Sequence, residues 1–460
     1  MSHTPHTLLS KVDAALKELA TTRHFLIGLS GGLDSVVLLK AMAELRTQSG
    51  DEIRLRAWHI NHQLHEQAAS WEQHCAQLCE KLGVEFASSK VTISAQTGIE
   101  NAAREARYAE FEAALQAGEA LLLAHHRDDQ IETLLLRLMR GAGSRGLSGI
   151  PRRRQIGNNS LLRPLLEIDR EELQSYAAAM DLHWIEDPSN DDESFDRNYC
   201  RHQLLPLIEA RWPGYRASWS KSAALAQESE ALLQELAVSD LNEIVTEAPA
   251  VLYQEKLLAL SAARRRNALR HWLGSFAAEE LGWNQLQQLS NEVLQGGAGR
   301  FIGSGFELHC FRDKVYLLDA KALNRPLPAG GDASLSELSS TGPLALEGNG
   351  SLNLRQQQGT GLALENLQSL SIRYRQGGEA CRLTGRPSKS LKKILQEVEL
   401  PPWLRGRIPL LYSGAQLAYI PGIGASAAFA AHNDEAGCLI EWTPPDLNRR
   451  RKGNVQGTQG

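Results

Sequence analysis

Over roughly its first 200 residues the chain alternates between short apolar runs and stretches whose apolar residues recur every three to four positions. His24–Leu29, Ile53–Ile60, Val84–Ile93 and Ala120–Ala124 are the apolar runs. Asp34–Leu45, Glu66–Leu82, Glu100–Leu115 and Asp129–Met139 carry the helical period. Parallel strands need crossovers, and a crossover helix buries its apolar stripe on a face of the sheet. The predicted fold class is therefore α/β: a Rossmann-like parallel sheet with helices on both faces. Such sheets take ligands at the carboxyl ends of their strands.

The period changes near residue 215, which sets the first boundary at 1–215. Arg216–Leu294 is rich in Ala, Leu, Glu and Gln at helical spacing, so 216–320 is expected to be a helical domain. It closes on a hairpin signal, Phe306–Phe311 and Val315–Leu318 around Arg312-Asp313-Lys314. Residues 321–370 read as a linker with weak strands, and 371–443 as a small α+β domain. The tail 444–460 lacks apolar periodicity and is expected to be disordered. There is no internal repeat.

Composition excludes some functions. The chain has 49 basic and 54 acidic residues and a formal net charge of −5. A nucleic-acid partner is not drawn in by overall charge, so binding would need local basic patches. Six cysteines occur without a CxxC pair. Cys75 and Cys79, four apart on one helix face, are expected to be buried thiols rather than metal ligands. No uncharged apolar stretch reaches the roughly 18–20 residues of a membrane span. The opening residues lack the pattern of a signal peptide. A soluble, cytoplasmic protein with no membrane partner is expected.

The strongest local signal is Ser30-Gly31-Gly32-Leu33-Asp34-Ser35, placed after a strand and opening a helix. Glycines let the backbone approach an anion, and helix N-terminal N–H groups then point at it. Ser30 and Ser35 add hydroxyls, and the Asp34 carboxylate is suited to holding Mg²⁺ beside phosphates. No lysine follows the glycines, so this is not a GxxxxGK[ST] loop. The string resembles the pyrophosphate-binding loop of the N-type ATP pyrophosphatase (PP-loop) superfamily. That resemblance implies cleavage of ATP between its α and β phosphates, with AMP transferred to an oxygen of the substrate.

Further strings narrow the resemblance. They are Asn61-His62; Gly98 to Arg104 with Arg107, Tyr108 and Phe111; His125 to Thr133; Arg140 to Gly143 with Gly146 and Leu147; Arg163 to Leu166; and Trp184 to Asn190 with Arg197, Asn198 and Arg201. Near the end come Ser388 to Lys393, Pro401 to Trp403 and Arg407 to Leu410. Together they resemble the tRNA(Ile)-lysidine synthetase family. The helical middle matches in character only, and His65 departs from the basic or polar residue expected there.

The resemblance implies a reaction. ATP would adenylate the C2 oxygen of the wobble cytidine, C34, of the tRNA(Ile) with a CAU anticodon. The ε-amine of free L-lysine would attack C2 and expel AMP, giving lysidine. Ser30, Gly31, Gly32, Leu33, Asp34, Ser35 and His125 would bind ATP, with Asp34 also a candidate Mg²⁺ ligand. Lysine's ε-amine has a pKa of about 10.4, so about one in 2,500 is neutral at pH 7. A carboxylate that takes its proton would help. Asp129 and Glu132 are the candidates, yet the same pair also reads as a capping box, with Asp129 as N-cap and Glu132 at N3. Arg104 is expected to neutralise the α-phosphate or the adenylated base. One of His125 and His126 is expected to pack on the nucleotide and the other to be structural, with His59 and His62 lining the site.

Local basic clusters supply the expected RNA contacts: Arg137, Arg140, Arg145, Arg152–Arg154, Arg197 and Arg201 early, Arg264–Arg266 and Arg270 in the middle, and Lys389, Lys392, Lys393 and Arg407 late. Trp403 and Tyr374 are candidate stacking surfaces, and Arg449–Lys452 would add weak attraction. Oligomeric state stays open, a homodimer included. A tRNA cytidine thiolase would need cysteines that the sequence does not place. A non-catalytic tRNA-binding protein would not need the intact loop.

Overall fold

The structure is a computed structural model. It describes residues 5–19, 22–50, 52–61, 63, 66–91, 99–276, 281–295, 299–327 and 342–450. His62, His65, Gly98, part of the expected linker and the last ten residues lie outside the described residues. Two compact units emerge, Met1–Leu232 and Leu233–Gly460.

The first unit is built on six strands: β1 His24–Gly28, β2 Arg54–Asn61, β3 Glu85–Lys90, β4 Ala120–Leu122, β5 Arg153–Ile156 and β6 Asn159–Leu162. Their order is β3-β2-β1-β4-β6-β5. All neighbours are parallel except β5, which pairs antiparallel with β6 at the edge. The edge hairpin escaped the sequence reading because Arg153, Arg154 and Gln155 are exposed and give no apolar run. The helices are α1 Pro5–Leu16, α2 Leu33–Gln48, α3 Ala68–Leu82, α4 Ile99–Ala114, α5 Arg127–Met139, α6 Ser144–Leu147, α7 Arg170–Ala179, α8 Asp196–Tyr199, α9 Leu205–Arg211 and the start of α10 Tyr215–Ile244.

Strand alternation splits the core. Phe25 and Ile27 of β1 join Val12, Val37, Met42, Leu173 and Tyr176 on one face. Leu26 points the other way, to Phe111, Leu121 and Leu161. Burial on both faces explains why β1 is an unbroken apolar run. Chain order runs outward from β1 to β3 on one side and from β4 to the edge on the other. The carboxyl ends of β1 and β4 therefore form the switch point where such sheets open a crevice.

In the second unit Val251–Tyr253, Lys314–Asp319, Phe306–Phe311 and Arg300–Gly303 form one sheet in that order. The expected hairpin turns at Arg312 and Asp313, both at positive φ, as a tight two-residue turn requires. The weak strands expected between 321 and 370 include Ser351–Gln358, which pairs residue for residue with Ala436–Thr443. A second sheet joins Leu370–Arg373, Leu410–Ser413, Gln416–Ile420 and Gly424–Ala425. The helix Leu391–Glu397 buries Leu391, Ile394 and Leu395 and leaves Lys392 and Lys393 exposed. Within 444–450 Leu447 is buried, and the Arg449 guanidinium donates to the carbonyls of Phe276 and Gly305. Arg449 is thus a structural residue, and 451–460 lie outside the described residues.

Candidate active site

The loop after β1 is shaped by its glycines. Gly31 has φ +90°, and a Cβ there would lie 2.5 Å from Ile185 Cδ1 and 3.0 Å from Cys75 Sγ. Its N–H donates to Ser35 Oγ (3.1 Å), and the Gly32 N–H donates to Ser30 Oγ (3.3 Å). Ser35 Oγ donates onward to the Gly32 carbonyl (3.0 Å). Gly32 is the N-cap of α2 and offers no side-chain cap. The first N–H groups of this sixteen-residue helix thus face the crevice uncapped, which suits an anion.

Asp34 stands in the first turn of α2. Its Oδ1 is buried with no hydrogen-bond partner. Burial raises its carboxyl above the ordinary carboxylate range, opposed by His126 and reinforced by Asp129. An orphaned buried carboxylate oxygen at a phosphate loop fits Mg²⁺, which takes one or two carboxylates plus substrate phosphates. Among the described residues no group of three or more His, Cys, Asp or Glu could hold a metal alone.

β4 delivers the opposite wall. α5 begins at Arg127, and its cap is His126. His126 Nδ1 accepts from the Asp128 N–H (3.2 Å), while Asp129 Oδ2 accepts from the His126 N–H (2.9 Å). The capping box expected from Asp129 and Glu132 is corrected: it is made by His126 and Asp129, one helical turn earlier. With Nδ1 accepting, His126 Nε2 carries the hydrogen. That atom lies 3.6 Å from Asp34 Oδ2 and 3.6 Å from Asp129 Oδ2. His126, for which the sequence offers nucleotide packing or a structural role, stands between both carboxylates. The signal that could have found it was Asp129 three residues on.

Glu132, one turn further, is fully buried. Arg197 Nε donates to Glu132 Oε2 (2.6 Å) and Arg201 Nε to Oε1 (2.7 Å), with Arg201 Nη2 adding a third bond (3.1 Å). Arg197 Nη2 also donates to Asp129 Oδ1 (2.8 Å). These arginines sit four apart, on α8 and on the π-helical turn Cys200–Leu204 that follows it, so both reach the same partner. Burial would raise the Asp129 carboxyl, but His126 and Arg197 beside it hold it well below the usual carboxylate range.

His125 accepts at Nδ1 from Arg163 Nε (3.3 Å). Burial and the nearby arginines, against Asp129, push its pKa down to about 3, so the ring is neutral. Arg163, missed as a site residue, is 1% exposed and also donates to the Pro151 carbonyl (2.6 Å) and the Tyr108 hydroxyl (3.1 Å). His59 is buried and anchors the end of β1 through the Leu29 carbonyl (2.9 Å). Cys75 and Cys79 are buried, and burial pushes both thiols up to about 12.

The expected RNA contacts divide. Arg140 and Arg145 are exposed, with Arg140 paired to Asp196 (3.3 Å), and so is Arg104, which is expected at the α-phosphate or the adenylated base and not as an RNA contact. In the second unit Lys392 and Lys393 are exposed, and Lys389 pairs with Glu397 (2.6 Å). Arg407 is different. It is buried, and its Nη2 donates to the carbonyls of Ala322, Leu323 and Arg325. Its place on an RNA-facing surface is withdrawn, since a guanidinium wrapped by three carbonyls is structural. Arg265 is buried on carbonyls as well. Trp403 packs on His309, Phe311 and Tyr316, and so is not an open stacking surface.

Comparison with known proteins adds independent findings. A family profile for a PP-loop domain matches residues 5–208. One for a TilS substrate binding domain matches 252–316, and one for a TilS substrate C-terminal domain matches 370–442. The tRNA(Ile)-lysidine synthase of Pseudomonas fluorescens is 40% identical over 95% of this chain and 97% of its own. That of Coxiella burnetii is 38% identical over 96% and 97%. That of Serratia proteamaculans is 40% identical over 93% and 97%.

Proposed function

The chain belongs to the tRNA(Ile)-lysidine synthase family, and from that premise we propose that it ligates free L-lysine to C2 of C34 in the CAU-bearing tRNA(Ile) at the expense of ATP. The product, lysidine, pairs with A instead of G. Decoding shifts from AUG to AUA, and amino-acid identity from methionine to isoleucine.

The observation that carries the reading is the pairing, at one switch point, of an uncapped helix N-terminus with an orphaned buried carboxylate, Asp34. A triphosphate would supply the anion that the helix N-terminus lacks, and its Mg²⁺ the cation that Asp34 lacks. The loop Ser30–Ser35 holds the phosphates, with Leu33 contributing backbone, and His125 packs on the nucleotide as a neutral ring. Mg²⁺ bound at Asp34 would offset phosphate charge. Arg104 faces the charge that develops on the α-phosphate or the adenylated base.

The C2 oxygen attacks the α-phosphorus and pyrophosphate departs. The lysine amine then bonds to C2, and the C2–oxygen bond breaks as AMP leaves. Asp129, kept ionised by its neighbours, is the carboxylate that attracts the lysine ammonium; a carboxyl held this acidic is a poor base, so the ammonium proton passes to water before the amine attacks. Glu132 accepts three hydrogen bonds from Arg197 and Arg201, so it acts as a positioning residue. Arg197 and Arg201 accordingly serve the site's geometry, with RNA contact secondary. Arg140, Arg145, Lys389, Lys392 and Lys393 supply contacts to tRNA phosphates.

The test is incorporation of labelled lysine into unmodified tRNA(Ile) with ATP and Mg²⁺, following AMP and pyrophosphate in the same reaction. One AMP and one pyrophosphate per lysine attached at C34 are expected. AMP release with no lysine attached would overturn the assignment of the nucleophile.

A further inference from the structure

Outside the carboxylate cluster, one aromatic ring gathers three guanidinium groups. Tyr108, on α4, has Arg154 4.2 Å from its ring centroid and Arg104 at 5.7 Å. Arg163 donates to its hydroxyl. Burial would raise the Tyr108 hydroxyl, but Arg163, Arg104 and Arg154 hold it below its ordinary value. Three cations around one ring repel each other, and a guanidinium over an exposed ring gains only about 0.5–1 kcal/mol.

The neighbouring arginines are compensated and these are not. Arg152 pairs with Glu18 and Glu167, and Arg153 donates to the Glu18 carbonyl and Ser160. Arg154 and Arg104 are both exposed, and among the described residues neither has a carboxylate within ion-pair distance. Strand alternation separates Arg153 from Arg154 and turns only the latter towards Tyr108. Arg163 then connects this cluster to His125, one side chain from the reacting centre.

We propose that Tyr108 and Arg154 form a binding site for a backbone phosphate of the substrate tRNA near the reacting cytidine, with Arg163 as the buried group that fixes Tyr108. The inference rests on the reading of the chain as a tRNA-modifying ligase. A phosphate of ATP has the same chemistry, but distance favours the RNA. β5 lies three strand spacings from β1, about 14 Å of sheet, whereas the triphosphate is assigned to the loop after β1. Exposed cations at a sheet edge suit a polynucleotide passing along the surface.

Arg154 lies outside the catalytic machinery and is exposed, which makes it the residue to change. Binding of unmodified tRNA(Ile) to the full chain is measured across a salt series, beside the KM for ATP in lysine incorporation. Arg154→Ala is expected to weaken tRNA binding about tenfold. The slope of log affinity against log salt should fall by about 0.7, one contact on a single strand. The KM for ATP should stay within twofold. Arg154→Lys should restore most of the slope, which separates lost charge from lost folding. An unchanged slope in Arg154→Ala overturns the site, as does a raised KM for ATP with tRNA binding intact. If the wild type binds tRNA through Arg154 but attaches no lysine, the ligase reading fails and the phosphate site stands. If the wild type attaches lysine while the slope ignores Arg154, the phosphate site alone fails.

Discussion

The charged groups of the crevice between β1 and β4 and those of the helix Leu391–Glu397 obey different physics. In the crevice Asp34, Asp129 and Glu132 are wholly or partly buried, and each has either a fixed partner or a conspicuous lack of one. On the helix, Lys392 and Lys393 stand in water over a buried row of Leu391, Ile394 and Leu395. Buried charges must be paired or await a partner, because desolvation is costly. Exposed charges cost little, interact weakly and are screened by salt. The crevice is therefore where chemistry is expected, and the helix is where salt-dependent adhesion to RNA is expected.

The comparison fails first at Asp34 if it is wrong. Asp34→Ala should lower AMP formation by about a thousandfold or more while tRNA affinity stays within twofold. Pyrophosphate release and filter binding on the same preparation measure both. Because burial raises this carboxyl, its ionisation costs folding stability above its folded pKa. Asp34→Asn should thus be inactive yet unfold about 2 °C higher at neutral pH. An inactive but destabilised variant would make Asp34 structural.

Glu132 tests the opposite case, a buried charge already paired. Glu132→Ala leaves Arg201 without its carboxylate and Arg197 with Asp129, and should cost about 3 kcal/mol of stability, read by denaturant unfolding. Retention of full stability would mean that the three short contacts contribute little.

An effect confined to acid pH is expected from His125. Its folded pKa, about 3, is below the unfolded value of about 6.5, so the unfolded chain binds the proton first. Stability contributed by the neutral ring is complete above about 6.5 and declines as pH falls towards about 3. His125→Asn should flatten that decline. Parallel stability curves for both proteins would mean that folding leaves this ring's proton affinity unchanged.

The helix should respond most weakly. Lys392→Ala with Lys393→Ala should weaken tRNA binding about tenfold and reduce the salt slope by about 0.7–0.9 per contact. Lys389→Ala should do less, since that amine already pairs with Glu397. Equal effects from Lys389 and the exposed pair would erase the distinction between spent and open charges.

Much of this was legible in the chain itself, for physical reasons that also mark where legibility stops. β1 and the loop at Ser30–Ser35 announce themselves because a doubly buried strand must be apolar and a phosphate turn must be small. The α5 cap was misplaced because Asp129 is the usual capping type, whereas His126 caps through a ring nitrogen. The partners of Glu132 were hidden because Arg197 and Arg201 come from 65 and 69 residues away. Arg407 looked like one more cation in a basic stretch, and nothing local says that three carbonyls surround it. Periodicity reports which face is buried, but not which distant polar group will meet it.

The most direct test of the central claim follows the oxygen. tRNA(Ile) carrying ¹⁸O at C2 of C34 is reacted to completion with ATP and lysine, and the AMP is weighed by mass spectrometry. Adenylation of the base predicts that the label leaves C34 and appears in AMP, one atom per lysine attached. Unlabelled AMP with lysine incorporated would mean that the base oxygen was never adenylated, and the account of the crevice would fall.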